Sequence, residues 1–275
     1  MFYKKYSGAG NDFILINNTH LKITNHRDIV ADLMSRKEYE RYDGVIFIEP
    51  SEIADFKMNY FNRDGSSNTL CGNGLRCAAK FIWDTNIINR SVMDIEAVGN
   101  IYRCAMVDQE YVAVTFPPPI ILNLNIELEI DFINWLQKLR CSFVDVGSPH
   151  LVVFIEDLNS PFIETLEDIP VEIWGRNLRF HKDLMPAGTN VHFIELMRDA
   201  NPRLHIRSYE RGVERETLAC GTGAISSALT AHYLKDFSFP VKLYTRSAEF
   251  LIVDATIVNN QIEKIILTGS AYQLI

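Results

Sequence analysis

The chain carries one four-residue signature twice, as Cys71-Gly72-Asn73-Gly74 and as Cys220-Gly221-Thr222-Gly223, more than half of its 275 residues apart. Each copy opens a run with helical spacing, Leu75–Phe81 and Ala224–Leu234. A repeat over that distance asks for two similar substructures, each placing one thiol at the start of one helix. The flanks repeat as well. Phe61-Asn62-Arg63-Asp64-Gly65 leads into the first copy and Tyr209-Glu210-Arg211-Gly212 into the second, so a strand ends in polar residues, a loop follows, and the signature starts a helix.

A thiol at a helix start is in a position to ionise. The exposed N–H groups and the helix dipole stabilise negative charge there, drawing a pKa of ~8.5 toward neutrality. The glycines let ligand atoms approach the backbone without a Cβ in the way, and the N–H groups of residues 72–74 and 221–223 suit an anion. A substrate carboxylate held between two such helix starts would set its α-carbon between two sulfurs. A thiolate then removes the α-proton from one face and a thiol returns a proton to the other, inverting the centre. The helix starts stabilise the carbanion as charge builds on the carboxylate. One copy alone reads better as a small buried residue near a cap; two copies in matching contexts favour the functional pair. Asp64, Gly65 and Ser66 read as turn chemistry. Asn62, Glu210 and Arg211 fall at strand ends, where binding and surface roles compete.

Short apolar segments alternate with turn residues along the chain. Phe13–Ile16, Val45–Ile48, Phe56–Phe61, Val112–Phe116, Val152–Ile155, Val191–Leu196, Leu204–Tyr209, Val241–Tyr244, Phe250–Val253 and Ile262–Leu267 read as strands. His26–Arg36 has helical periodicity. Strands outnumber helices, which predicts an α+β fold with mixed or largely antiparallel sheets. Pro117-Pro118-Pro119 interrupts both kinds of element. It sets the expected domains at 1–116 and 117–263, with a final strand at about 264–275 returning to the first. Ser7-Gly8-Ala9-Gly10-Asn11-Asp12 precedes a strand rather than a helix, so it reads as a glycine turn presenting Asn11 and not as a dinucleotide loop.

A net charge of −8 with no cluster of Lys or Arg argues against nucleic acid. The start of the chain has no apolar stretch of the kind that begins a signal peptide, and the longest apolar runs are strand-sized. The default expectation is a cytoplasmic protein with no membrane partner. Five cysteines at scattered spacings argue against a disulfide framework. Cys71 and Cys77, six apart, and His150, His181, His192 and His205 form no zinc-ligand spacing, so no metal is expected. Cys77, Cys104 and Cys141 read as structural. A lone His150 is more often structural, but near two thiols it is placed to tune them.

The chain resembles the diaminopimelate epimerases. The resemblance rests on Gly8-Ala9-Gly10-Asn11-Asp12-Phe13, Asn62-Arg63-Asp64-Gly65-Ser66, Cys71-Gly72-Asn73-Gly74-Leu75-Arg76-Cys77, Gly188-Thr189-Asn190, Tyr209-Glu210-Arg211-Gly212 and Glu216-Thr217-Leu218-Ala219-Cys220-Gly221-Thr222-Gly223-Ala224, in family order over nearly the whole chain. It implies two pseudo-symmetric domains, each a sheet wrapped around a central helix, with an active site in the interdomain cleft. It implies conversion of LL-diaminopimelate to the meso form, for lysine and peptidoglycan synthesis. Cys71 and Cys220 match the catalytic pair, and His150 and Glu210 the residues that tune them. Asn11, Asn62, Gly72, Asn73, Asn190, Glu210, Arg211, Gly221 and Thr222 match substrate-binding positions. Members need no pyridoxal phosphate and no metal and are often dimers, so a homodimer is expected. Two departures stand out. Ser148 replaces the Asn of a Gly-Asn-Pro-His stretch, and Asp43-Gly44 replaces the Asp-Gln of some members. Proline and hydroxyproline racemases share the chemistry with another substrate, and Asn73 with Leu75-Arg76-Cys77 favours the diaminopimelate branch.

Overall fold

The computed structural model describes residues 3–67 and 70–275. The chain divides into two compact units, Met1–Phe116 with Thr268–Ile275, and Pro117–Leu267.

The first unit runs β1 (Tyr3–Gly8), β2 (Asn11–Asn17), α1 (His26–Ser35), β3 (Gly44–Glu49), β4 (Phe56–Asn62), α2 (Gly72–Asp84), β5 (Val92–Ala97), β6 (Asn100–Met106) and β7 (Tyr111–Phe116). The second runs β8 (Ile121–Glu129), β9 (Lys138–Asp145), β10 (Pro149–Phe154), α3 (Val171–Arg179), β11 (Asn190–Met197), β12 (Arg203–Glu210), β13 (Arg215–Thr217), α4 (Gly221–Lys235), β14 (Val241–Tyr244) and β15 (Phe250–Val258). β16 (Gln261–Ser270) carries the chain past Leu267, and β17 (Tyr272–Gln273) pairs antiparallel with β1.

The repeat seen in the signature extends to strand pairing. In the first unit β1–β2 is antiparallel, β2–β3 parallel, β3–β4 antiparallel, β4–β5 parallel and β5–β6 antiparallel. In the second, β9–β10, β10–β11, β11–β12, β12–β14 and β14–β15 follow the same alternation. Each parallel step needs a crossover, and a helix supplies it: α1 and α2 in the first unit, α3 and α4 in the second. Both units are therefore mixed sheets with few helices.

Two helices cover each sheet. Val30, Leu33 and Met34 of α1 pack on Ile14, Ile16, Val45 and Phe47. The alternate residues Phe13, Leu15, Ile46 and Ile48 are buried too, as expected for strands covered on both faces. In the second unit Val171, Trp174 and Leu178 of α3 pack on Leu151, Val153, Val191 and Phe193. α2 and α4 are buried all round, with residues 72–82 and 221–231 buried without a break. A helix buried on every side belongs inside a fold, and several polar side chains within these two bond to nearby oxygens. Ser226, Ser227 and Thr230 donate to the carbonyls four residues back, at 3.0, 2.8 and 2.8 Å. Arg76 donates to Ser270 O at 3.2 Å and to Asn73 Oδ1 at 2.9 Å. No helix among the described residues is long and apolar enough to cross a membrane.

The glycine turn presents Asn11 as the first residue of β2. Ala9 and Gly10 both have positive φ, 53° and 85°, the pairing that a two-residue hairpin with native twist requires. Ala9 accepts this conformation while fully buried, and its N–H donates to Ser270 Oγ at 3.1 Å.

Gly44 has a steric reason to be glycine. A Cβ there would meet Phe61 O at 2.1 Å and the Tyr60 ring at 2.8 Å, so β3 lies closer to β4 than any side chain permits. Gly44→Ala is expected to destabilise the protein by about 1–3 kcal/mol, as overpacking does. The urea midpoint checks this, and an unchanged midpoint would show that the strand end yields freely.

Candidate active site

Both signature cysteines are helix N-caps in nearly the same backbone conformation. Cys71 has φ −124° and ψ 103°, and Cys220 has φ −119° and ψ 111°. An extended cap followed by two glycines within three residues lets the chain turn sharply into a helix whose first N–H groups lack carbonyl partners. Cys71 is half-buried, and its sulfur accepts the Gly74 N–H at 3.3 Å. Cys220 is buried. Its thiol lies well above the ordinary range, raised first by burial and next by the charge of Glu210, with the Thr222 hydroxyl pulling the other way. None of the five cysteines forms a disulfide. Cys104 and Cys141 are inert by burial, the latter pushed up to about 12.

In the first unit the expected residues gather at one end of β2, β3 and β4, beside the start of α2. Asn73 donates to Asn11 Oδ1, and Asn11 Nδ2 donates to Asp43 Oδ2 at 3.1 Å. Arg76 holds Asn73 from behind, so a chain of four polar side chains fixes both amides. Asn62 in β4 is the register partner of Gly44 in β3, and its amide donates to Ser66 Oγ at 2.9 Å. Asp43 and Arg76 carry this arrangement. The sequence reading named both, Asp43 beside Gly44 and Arg76 after the first signature, but gave neither this role; Asp43 meets Asn11 across 32 positions of the chain.

In the second unit the gathering is at the matching end of β10, β11 and β12. His150 and Asn190 are register partners. Asn190 donates to Pro149 O and accepts the Arg211 N–H, both at 2.9 Å, tying three segments together. Glu210 accepts the Thr217 hydroxyl and bonds to the Cys220 thiol. Arg211 donates to Ala187 O at 3.1 Å. Ser148, where the resemblance led us to expect an Asn, bonds to His150 Nε2 at 2.8 Å and donates to Thr222 at 3.5 Å.

His192 is the residue that sequence reading passed over. Leu151, Val153, Val191 and Phe193 face α3; the alternate positions His150, Asn190 and His192 therefore belong to the other face. His192 lies under the start of α4, where a Cβ on Gly223 would meet its ring at 2.2 Å. His150 Nδ1 and His192 Nε2 are 2.8 Å apart, and His192 Nδ1 is 2.9 Å from Ser208 Oγ. Both rings are fully buried. Burial, followed for His150 by the charges of His192 and Arg211, lowers both: His192 falls to about 3 and His150 goes well below its ordinary value. No linear spacing marked a metal set, yet one ligand atom from each of His150, His192 and Cys220 lies within 4.8 Å of the others.

The imidazole shifts carry a stability consequence. A His neutral in the fold but basic when unfolded takes up a proton on unfolding, so stability falls as pH drops below about 6.5, continuing toward about 3 for His192. Each such imidazole adds a slope of ~1.4 kcal/mol per pH unit. Urea unfolding from pH 7 to pH 4 is expected to show a shallower loss in His192→Gln than in the wild type. Equal slopes would mean that His192 is protonated in the folded protein.

The diaminopimelate epimerase family model matches residues 3–119 and 142–271. A diaminopimelate epimerase of Chlorobaculum tepidum is 38% identical over 272 residues, covering 96% of each chain. One of Hydrogenobaculum sp. is 34% identical over 275 residues, covering 95% of this chain and 93% of that one. Among solved structures, a probable proline racemase from Agrobacterium radiobacter K84 aligns with a TM-score of 0.71 at 15% identity, covering 99% of this chain and 90% of that chain; at that identity the likeness is one of fold. With both cysteines, both helix caps and the repeated sheet order in place, this chain belongs to the diaminopimelate epimerase family and is an isomerase of the epimerase type.

Proposed function

We propose that the protein converts LL-2,6-diaminopimelate to meso-diaminopimelate by a two-base thiolate/thiol mechanism, with one thiol drawn from each unit. The observation that carries this reading is the family match together with a cysteine N-cap on each of the two fully buried helices. The substrate's α-carboxylate takes the N–H groups at the helix starts, among them those of Gly72, Asn73, Gly221 and Thr222. Asn11, Asn62, Asn190, Glu210 and Arg211 hold the amino and distal groups.

The proton inventory follows from the sites. Burial and Glu210 hold Cys220 as a thiol, so it begins as the acid in this direction and Cys71 as the base. The α-C–H bond breaks as the Cys71 S–H bond forms. The electron pair left on carbon is stabilised through the carboxylate by the helix starts. The Cys220 S–H bond then breaks as a new C–H bond forms on the opposite face. His150 and Glu210 set the proton affinity of Cys220. After turnover the two sulfurs have exchanged roles, and the reverse reaction starts from that state. No step uses a cofactor or a metal. In this reading the enzyme is a cytoplasmic homodimer supplying lysine and peptidoglycan precursors.

Incubation with LL-diaminopimelate in deuterated water is expected to yield the meso isomer with deuterium at one α-carbon, in the presence of EDTA and without added pyridoxal phosphate. L-proline is expected to exchange nothing. Absence of α-deuterium from diaminopimelate would reject the assignment. Cys71→Ala and Cys220→Ala are each expected to lower kcat by about 100-fold or more, the range of a lost general acid or base, with unchanged circular dichroism. Near-normal turnover in either would remove that thiol from the mechanism.

A further inference from the structure

Five side chains of the second unit form a row that ends on the Cys220 sulfur. Ser208 Oγ is 2.9 Å from His192 Nδ1, and His192 Nε2 is 2.8 Å from His150 Nδ1. His150 Nε2 is 2.8 Å from Ser148 Oγ, Ser148 donates to Thr222 Oγ1 at 3.5 Å, and Thr222 Oγ1 is 3.7 Å from Cys220 Sγ. Each hydroxyl and each neutral imidazole carries a single polar hydrogen. Once one hydrogen in the row is placed, all the others are fixed.

Glu210 places the first. The Cys220 thiol spends its hydrogen on the Glu210 carboxylate, leaving the sulfur only lone pairs to offer Thr222. The Thr222 hydroxyl therefore donates to sulfur and accepts from Ser148. Ser148 accepts from His150, which carries its hydrogen on Nε2. His150 Nδ1 accepts from His192 Nε2–H, and His192 Nδ1 accepts from the Ser208 hydroxyl. Every hydrogen in the row points toward the sulfur.

We propose that His192 is a positioning residue for the epimerisation: donating from Nε2, it locks His150 in the Nε2–H tautomer and so keeps the Thr222 hydroxyl aimed at Cys220. The inference rests on the reading of Cys220 as an acid–base thiol. When Cys220 gives up its proton, a thiolate remains in a buried place. Donors already turned toward it stabilise the charge without reorganising as it forms. Burial keeps both rings neutral, so neither gains a second hydrogen that would break the direction of the row. Without a donor at His192, His150 is free to carry its hydrogen on Nδ1. Nε2 then accepts from Ser148, and the Ser148 hydrogen turns away from Thr222. Gly223 is part of the arrangement, since only a residue without Cβ lets α4 rest on the His192 ring.

The test joins a spectroscopic readout to kinetics. In protein labelled with 15N-histidine, the nitrogen shifts of His150 are expected to report the Nε2–H tautomer. In His192→Phe, which keeps a ring and removes the donor, the shifts move toward Nδ1–H, and kcat for diaminopimelate falls about 10-fold or more, as loss of a bond made in the transition state does, while KM stays within about twofold. His192→Gln, whose amide can donate to His150, recovers most of the tautomer and most of kcat. Ser208→Ala leaves the ring seated and is expected to produce the same shifts to a smaller extent, so it decides the matter if the Phe variant does not fold. An Nδ1–H tautomer for His150 in the wild type overturns the proposal, as does an unchanged kcat in the folded variants. A wild type that does not turn over diaminopimelate would instead sink the functional reading, and the tautomer measurement would still decide the direction of the row.

Discussion

Each unit is organised around a helix with no solvent-facing side. Burying eleven consecutive residues of α2, and eleven of α4, removes water from everything but the helix ends. The first N–H groups of such a helix have no carbonyl partners of their own, and their dipoles add at that point. The N-terminus becomes a strongly polar place inside the fold. The surrounding residues answer to it: amides from Asn11 and Asn73 in one unit, and Asn190, Glu210 and two imidazoles in the other. The cysteine caps sit where the field is strongest, and that placement gives a weak acid its use.

The two thiols are not equivalent in spite of the repeat. Each takes a backbone N–H, from Gly74 or from Gly223, but Cys71 is half-buried whereas Cys220 is buried against a carboxylate. The asymmetry comes from residues outside the signature. A Cβ on Gly74 would first meet the end of Ile46 and its own cap, whereas one on Gly223 would run into an imidazole. The raised proton affinity of Cys220 comes from its burial and from Glu210.

Much of this was legible in the sequence. The doubled signature located both buried helices, and its flanks located the strand ends that carry Asn62, Glu210 and Arg211. The helices begin at Gly72 and Gly221, earlier than periodicity suggested, because glycine hides a helical start from a pattern of apolar residues. β1, β5, β8 and β13 were passed over; β5 and β8 alternate apolar with polar residues and show no apolar run. α3 was also missed. Its sequence VEIWGRNLR is polar on average, and only Val171, Trp174 and Leu178 reach the core. The repeat itself would have pointed to α3, which occupies the place in the second unit that α1 holds in the first. His192 was invisible for another reason. Its meaning depends on a parallel register with β10, which no linear spacing encodes.

The contact between Gly223 and the His192 ring ties two distant stretches of chain into one heritable unit. A lineage that gains a side chain at the glycine must lose the imidazole, and one that trades the imidazole for something smaller opens a void beneath the helix. Comparisons that treat the final glycine of the motif only as a mark of ligand approach will therefore credit to catalysis what belongs partly to packing. The two positions are expected to drift together among descendants.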